Sequence, residues 1–489
     1  MKNFTSSIKK VFALLMLLSL SMVSHAQETG VYKIKTNLTS ADNLIISFAA
    51  TNGNISVAVN DGDFVPYEVS TDINKKTPLM FTPGIDNPEF TMKGDLTAFD
   101  APNEKIYDFQ VSGNNSLVLL NLAQNKLTSV SLADGENIRY CYLLDNAIET
   151  IDFGKAVNIE ELNVNYNMLT DIDISAQKNL KAFSCDHNAI GSLDVSSNLM
   201  LESLYCKKNK LQTLNISSLS LLRELSCESN QIETLDVTNN PALEILYCKD
   251  NKLNELNVTS CAALVELNCS ENEIEALDLS SCANLIKLYC FTNKLSELNL
   301  SNSASIEVIS CGDNALTSLD LAGLSSLQSL SVSYNSISEL NLTGCSFLMA
   351  VGADHNKLTR LDLTDCAFLF MADVSFNEIT NEGSALMAST IAERTEDEFG
   401  IIIFTNSQDY PDDVEHNQCS VQTMEAFNNK YWILTDGEEE FIPTSINSVK
   451  VDADNISAVY DTNGIKKSKV GKGLNIVVLK NGKTIKVCK

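Results

Sequence analysis

The chain has 489 residues and a formal net charge of −28 at neutral pH, with 44% apolar and 20% charged residues. A charge of this sign repels phosphate backbones, so nucleic acid is a poor partner. The length suits several ordinary domains or one long repeat array with caps.

Residues 1–26 have the pattern of a secretory signal peptide. Three lysines precede a short apolar run from Val11 to Val23, and Ser24-His25-Ala26 offers a small-residue cleavage site. This run of 13 residues is too short to span a bilayer, because a spanning helix needs about 20. No second long apolar run follows. We therefore expect an exported chain without a transmembrane segment, secreted or held at the cell surface.

Residues 27–95 predict a small N-terminal β cap. Three segments are typical of strands, namely Val31–Lys35, Leu44–Phe48 and Ile55–Val59. Asn60-Asp61-Gly62-Asp63 follows the third segment and predicts a turn. We expect this domain to cover the first edge of the repeat array that comes after it.

Residues 96–383 carry a tandem repeat. Apolar residues lie eight, five and three positions before a recurring asparagine, and Leu or Ile lies two positions after it. The period predicts a solenoid in which each turn buries its apolar side against its neighbours. A worn first turn has Glu104 in the asparagine position. The asparagines recur every 21 residues at Asn125, Asn146, Asn167, Asn188, Asn209, Asn230, Asn251, Asn272, Asn293, Asn314, Asn335, Asn356 and Asn377.

One unit illustrates the expected structure. Leu246-Tyr247-Cys248 alternates inward and outward residues, which predicts a short strand. Leu256-Asn257-Val258 alternates in the same way and is a candidate for a second strand on the opposite wall. The asparagine amide both donates and accepts, so we expect a ladder of stacked asparagines to pair backbone groups that are buried at the bend after the first strand.

Fourteen cysteines in an exported chain would ordinarily suggest disulfides. Eleven of them occupy two repeated inward slots. Parallel side chains on stacked turns have unfavourable disulfide torsion, so we expect free, buried thiols. The slot three residues before the asparagine holds Cys185, Cys206, Cys227, Cys248, Cys269, Cys290 and Cys311. The slot eleven residues before it holds Cys261, Cys282, Cys345 and Cys366.

The period breaks after Asn377. In residues 384–436 we expect capping turns, with helices at Ser384–Arg394 and Val421–Asn429 and strands at Gly400–Phe404 and Tyr431–Leu434. Acidic residues in 437–446 mark a linker. Residues 447–489 predict a β tail. Its expected hairpin runs from Leu474–Lys480 through Asn481-Gly482 to Lys483–Val487.

The repeat resembles the bacterial leucine-rich repeat family. Its 21-residue unit with cysteine before the asparagine is similar to the internalin-J-like group, over residues 96–383. This resemblance implies a right-handed solenoid of the β-dominated α/β class, with parallel strands on a concave face and a role in adhesion. The tail from Val459 to Lys489 looks like the C-terminal sorting domain of the type IX secretion system of Bacteroidota. A plain β cap is the alternative.

Outward positions on the predicted strands form a candidate ligand surface on the concave face. Exposed aromatic rings and cations suit recognition of a protein or glycan. Alternatively, Tyr is present only because it favours strands. Three tyrosines lie four positions before their asparagines on alternating turns, and two lysines and a phenylalanine flank them. In chain order these residues are Tyr205, Lys207, Tyr247, Lys249, Tyr289 and Phe291.

No catalytic constellation, metal-ligand spacing or phosphate-binding loop occurs in the sequence, so we predict no enzyme activity, metal or cofactor. The sequence favours an exported, surface-associated binding protein, an adhesin that recognises a protein or glycan on a host or neighbouring cell. Two alternatives remain open at this point. One is a structural component of the cell envelope without a specific ligand, and the other is an enzyme accessory protein.

Overall fold

The computed structural model describes residues 30–113, 116–406 and 414–436 and four short segments of the tail. The predicted signal peptide and linker lie outside the described residues. The chain divides into two compact units. The first comprises residues up to 172 and 176–180, and the second comprises 173–175 and 181 onward. The first unit joins antiparallel cap sheets to a few stacked parallel turns, and the second consists mainly of such turns with short strands and few helices. Stacked turns of this kind are the fold of a leucine-rich repeat solenoid.

The first unit begins with eight strands, namely β1 (Val31–Thr36), β2 (Leu44–Ala50), β3 (Asn54–Val59), β4 (Val65–Glu68), β5 (Thr77–Phe81), β6 (Glu89–Lys93), β7 (Leu96–Asp100) and β8 (Ile106–Ser112). They form two sheets. One has the strand order β4-β3-β6-β1-β8, and in the other β2 lies antiparallel between β5 and β7. The first three strands lie where the sequence predicts them. Strands β4 and β5 contain Pro66 and Pro78, a residue type that disfavours strands, so their sequences give a weak strand signal.

Aromatic rings fill the core beneath these sheets. The ring of Phe99 lies 6.3 Å from that of Tyr32, 5.6 Å from Phe48 and 5.3 Å from Phe109, measured between centroids. The strand that carries Phe99 also pairs in parallel with the first repeat strand, in the register Phe99 to Leu120. The sheet of the cap therefore continues into the sheet of the repeats without a break in strand pairing.

Each repeat contributes one three-residue strand to a parallel sheet. In the first unit the strands after β8 are β9 (Leu119–Asn121), β10 (Ser129–Ser131), β11 (Tyr140–Tyr142), β12 (Thr150–Asp152) and β13 (Glu161–Asn163). The strands of the second unit are β14 (Ala182–Ser184), β15 (Ser203–Tyr205), β16 (Glu224–Ser226), β17 (Ile245–Tyr247), β18 (Glu266–Asn268), β19 (Leu277–Asp278), β20 (Lys287–Tyr289), β21 (Leu298–Asn299), β22 (Val308–Ser310), β23 (Leu319–Asp320), β24 (Ser329–Ser331), β25 (Leu340–Asn341), β26 (Ala350–Gly352) and β27 (Met371–Asp373).

The opposite wall forms strands in only some turns. The pairs are β10 with β12, β19 with β21 and β23 with β25. Residues 256–258, the candidate second strand, are not in a strand. There the Asn257 side chain accepts hydrogen bonds from the amide and the hydroxyl of Thr259, at 3.1 and 2.7 Å. This side chain therefore closes a local turn within its own repeat.

The repeats end in a cap of two helices and two strands, namely α1 (Asn381–Thr390), β28 (Gly400–Ile403), α2 (Val421–Asn428) and β29 (Trp432–Thr435). The helix α1 starts three residues earlier than predicted because the Thr380 side chain caps it by accepting from Gly383 N–H. The strand β28 pairs in parallel with β27, and β29 pairs with β28. The cap thus adds two strands to the parallel sheet.

The described tail segments are four strands, namely β30 (Ile456–Asp461), β31 (Lys466–Lys467), β32 (Leu474–Leu479) and β33 (Thr484–Cys488). They form an antiparallel sheet in the order β31-β30-β32-β33. The strands of the predicted hairpin correspond to β32 and β33, which pair in the register Ile476 to Lys486.

Among the described helices, none has the length and apolar character needed to cross a membrane.

Candidate functional site

The asparagine ladder fixes the turns beneath the candidate surface. Asn251 Nδ2 donates to the carbonyl of Cys227 on the preceding turn at 3.0 Å and to that of Cys248 on its own turn at 3.1 Å. Its Oδ1 accepts from Ile232 N–H at 2.9 Å. Asn209, Asn230, Asn272 and Asn293 repeat this pattern within the second unit. Each carboxamide therefore ties a bend to the turn before it and satisfies buried backbone groups.

The residue before each ladder asparagine adopts a left-handed backbone conformation. Its φ lies between 51° and 58° in all thirteen turns, and none of these residues is glycine. One of them is the β-branched Thr292, at 53°. In Thr292 the backbone N–H donates to Gly312 O on the next turn at 2.9 Å. Interturn hydrogen bonds thus hold a conformation that L-residues disfavour by about 1–2 kcal/mol.

Seven cysteines, each three residues before a ladder asparagine, lie on the inner side of the strands that carry the candidate surface; we call them the column cysteines. All seven are free thiols, and all are fully buried. Burial raises the pKa of Cys227 and of Cys269 to about 12, so these groups remain protonated at neutral pH. In the second slot, Cys261 donates a weak hydrogen bond to Val237 O at 3.7 Å. Asn240 occupies the same slot one turn earlier and donates to Leu219 O at 2.8 Å.

Strand register aligns the candidate tyrosines in one outward column. Tyr205 pairs with Ser226, which pairs with Tyr247. Tyr247 pairs with Asn268, which pairs with Tyr289. The three tyrosines are therefore on every second strand, about 10 Å apart from the strand spacing. All three side chains are only partly exposed.

Two of the tyrosines are held by glutamates of the next strand. The hydroxyl of Tyr205 donates to Glu224, and that of Tyr247 is hydrogen-bonded to Glu266. Burial, and then the neighbouring carboxylate, raise the pKa of both hydroxyls well above the usual range. Both side chains therefore also have a structural role, because each hydroxyl is bonded to the next strand. Tyr289 differs because Val308 stands where the next strand would carry the glutamate.

The lysines of the candidate surface form ion pairs along the sheet. Lys207 Nζ lies 2.9 Å from Glu228, and Lys249 Nζ lies 2.9 Å from Glu271. Lys249 Nζ also lies 5.1 Å from the ring centroid of Phe291, within range of a cation–π interaction. The structure therefore pairs both lysines with glutamates and brings Lys249 alone of the two near Phe291.

The glutamate partners were missed by sequence reasoning. Each of the bonded tyrosine hydroxyls reaches a glutamate 19 positions later, since Tyr205 bonds Glu224 and Tyr142 bonds Glu161 at 2.9 Å. The sequence contains this pattern. A spacing of 19 residues is one repeat of 21 minus two, so the glutamate lies on the next strand, two positions before the residue directly opposite the tyrosine. Comparing each outward residue with this diagonal neighbour on the next strand identifies the pairs.

The described residues contain no group of three or more His, Cys, Asp or Glu side chains that could hold a metal ion. The candidate surface combines aromatic rings, hydroxyl groups and locally paired charges on a run of parallel strands. This composition suits reversible recognition of another molecule's surface, with aromatic rings supplying contact area and paired charges supplying orientation.

Comparison with known proteins supports the fold. No protein-family model and no curated protein matches this chain. A leucine-rich repeat protein of Leptospira interrogans is 22% identical, with a TM-score of 0.52 over 56% of this chain and 76% of that one. The functional domain of InlJ from Listeria monocytogenes, described as including a cysteine ladder, is also 22% identical, with a TM-score of 0.51 over 80% of this chain and 90% of that one. The chain is thus similar in fold to bacterial leucine-rich repeat proteins of the internalin kind.

Proposed function

We propose that this protein is an exported, surface-associated binding protein, an adhesin that recognises a protein or glycan of a host or neighbouring cell through the outward column of the second unit. The observation that carries the proposal is the alignment of Tyr205, Tyr247 and Tyr289 on alternate strands. The proposal assigns the protein no catalytic activity. The signal-like residues 1–26 and the sorting-domain-like tail support export.

Preorganisation supports recognition at this column. The Tyr205 and Tyr247 hydroxyls are fixed by glutamates before any ligand arrives. Lys249 is fixed by Glu271 and lies over Phe291. Side chains that are already ordered lose less entropy on binding, which improves affinity without new contacts. Ring edges and faces remain available because all three tyrosine side chains are partly exposed.

Charge limits the class of ligand. Both lysines of the candidate surface have glutamate partners, since Lys207 Nζ and Lys249 Nζ each lie 2.9 Å from a glutamate oxygen. The positive charge of these two lysines is therefore largely balanced locally, and the chain as a whole is strongly acidic. We infer a ligand that is neutral or weakly basic and binds by stacking and hydrogen bonds, such as a neutral glycan or an uncharged protein surface.

A matched set of variants tests the proposal. Tyr205, Tyr247 and Tyr289 would all be replaced by alanine, and Tyr142→Ala would serve as the control because Tyr142 makes the same kind of bond to Glu161 in the first unit. Binding would be measured on a glycan array, a protein array and a panel of cultured cells, with folding checked by circular dichroism. We expect the triple variant to lose binding at least tenfold and the control to retain it. Undiminished binding by a folded triple variant would contradict the proposal.

A further inference from the structure

An exposed aromatic face lies at the end of the second unit. Its residues sit just before successive strands of the parallel sheet, and each side chain is between 38% and 55% exposed. Large apolar side chains at this exposure are ordinary when scattered but signal a contact surface when contiguous. The aromatic face comprises Phe347, Met349, Phe368, Phe370, Phe399 and Tyr431.

Backbone hydrogen bonds show that these residues are contiguous. Phe370 N–H donates to Met349 O at 3.0 Å, and Ile401 N–H donates to Phe370 O at 2.9 Å. Gly400, which follows Phe399, donates to Tyr431 O at 2.9 Å. The rings of Phe347 and Phe368 stack at 5.5 Å with an interplanar angle of 4°. The face therefore crosses four consecutive chain segments.

Exposed rings on successive turns set this face apart from the earlier repeats. Seven residues before the ladder asparagine, where the face has Met349 and Phe370, most earlier turns carry charged residues such as Arg223 and Glu244, which form a salt bridge, although Val265 and Ile286 are apolar and half-buried there. The pattern of the repeat does not require an apolar residue at this outward position. A local change from ion pairs to exposed rings indicates a partner for this surface alone.

An acidic run adjoins the aromatic face. Glu393, Glu396, Asp397 and Glu398 are all exposed, and the last of them precedes Phe399. A partner for the combined surface should therefore carry both basic and apolar residues. The tail of this chain has that composition. Residues 447–489 contain nine lysines and only three acidic residues, a net charge of +6 in a chain whose total is −28.

We propose that the aromatic face docks the protein's own lysine-rich tail, residues 447–489. The cap strand β29 ends at Thr435, and 19 residues separate Asp436 from the first tail strand at Ile456. Such a connection reaches up to about 65 Å, so the tail can reach a face on the same cap. Tethering keeps the tail at high effective concentration. A second copy is disfavoured because it would bring two acidic runs together.

Carbodiimide crosslinking of the full-length protein tests this. The reagent forms an amide bond between a lysine amine and a carboxylate that the lysine contacts. An equimolar mixture of nitrogen-15-labelled and unlabelled chains distinguishes intrachain from interchain products by mass. We expect intrachain crosslinks between tail lysines and Glu396, Asp397 or Glu398, with a yield that does not change on tenfold dilution. Absence of these crosslinks would overturn the proposal, and so would products that are mainly interchain, which would identify a second copy as the occupant.

Variants then test the role of the rings. Phe368→Ser combined with Phe370→Ser should lower the intrachain yield at least fivefold, with unchanged circular dichroism. Leu221→Ser is the control, since Leu221 occupies the repeat position of Phe368 and is 45% exposed. Phe347→Ser provides a milder variant if the double substitution impairs folding. Equal yields in the Phe variants and the Leu221 variant would reduce the contact to general charge attraction and overturn docking on the aromatic face.

Discussion

Replacement of one ladder asparagine tests how the turns are held together. Asn251→Ala removes both N–H donors of Nδ2, which are shared among Cys227 O at 3.0 Å, Cys248 O at 3.1 Å and Lys249 O at 3.3 Å, and one accepted bond from Ile232 N–H at 2.9 Å. Each such bond contributes about 1 kcal/mol net of exchange with water. We therefore expect the free energy of unfolding to fall by about 3 kcal/mol.

Two further variants sharpen this expectation. Asn251→Asp keeps the shape and the acceptor but removes both donated bonds and places a charge beside two carbonyl oxygens, so it should destabilise at least as much as Asn251→Ala. Asn257→Ala is the control, because Asn257 is exposed and bonds only to Thr259 in its own turn. Its loss should stay below about 1 kcal/mol.

The assay is urea denaturation followed by circular dichroism, together with hydrogen exchange of the Ile232 amide. A solenoid unfolds by cooperation between neighbouring turns, so local exchange at Ile232 should respond more strongly than exchange several turns away. Equal losses of stability in Asn251→Ala and Asn257→Ala would refute the reasoning. So would unchanged protection of the Ile232 amide in Asn251→Ala.

Three other expectations follow from the same structure. The seven column cysteines should resist iodoacetamide in the native protein and should all be alkylated in urea without reductant, as read by mass spectrometry; disulfides among them would contradict the packing. Burial raises the pKa of the Asp373 carboxyl to about 6, so the folded protein favours the protonated carboxyl. The resulting contribution to the free energy of unfolding is complete below about pH 4 and is lost as the pH rises to about 6. Asp373→Asn should then be more stable than the parent by on the order of 2 kcal/mol at pH 7 and equal to it below pH 4. Asp194→Asn is the control and should gain no stability at pH 7, since hydrogen bonds from Ser196 lower the pKa of Asp194. Thr292→Gly should stabilise by about 1 kcal/mol in thermal denaturation, because glycine accepts the left-handed conformation.

The strand register could be predicted because the repeat fixes it. A period of 21 residues with inward positions three and five before the asparagine leaves one way to stack the turns. Tyr205, Tyr247 and Tyr289 accordingly fall in one column. The role of the asparagine also followed from chemistry, because a carboxamide is the neutral side chain that both donates and accepts at a buried bend.

Features that depend on contacts between turns could not be read from one repeat. The left-handed residue before each asparagine includes Thr292 and Phe376, types that do not favour this conformation. It exists because neighbouring turns bond its backbone. The ladder also continues past the break in period. Asn417 donates to Val374 O at 2.7 Å and Phe404 O at 2.9 Å, and accepts from Ile379 N–H, 40 residues after Asn377.

The pairing of outward side chains bears on where a ligand should bind. At Tyr205 and Tyr247 a glutamate of the next strand already engages the hydroxyl, so a ligand must compete with an intramolecular bond. At Tyr289 the corresponding residue is Val308, and the same turn carries Phe291 with Lys249 over its ring. Aromatic and apolar surface is therefore most available there.

If recognition follows available surface, the three tyrosines should not be equivalent. Tyr205→Ala removes a bond to Glu224 and should lower stability more than it lowers affinity. Tyr289→Ala removes no such carboxylate bond and should lower affinity by about 1–2 kcal/mol with little loss of stability. Thermal denaturation and binding to the ligand found by the array screen measure the two quantities on the same proteins. The opposite order would place the centre of recognition at Tyr205, where the glutamate would then belong to the ligand-binding surface as well as to the scaffold.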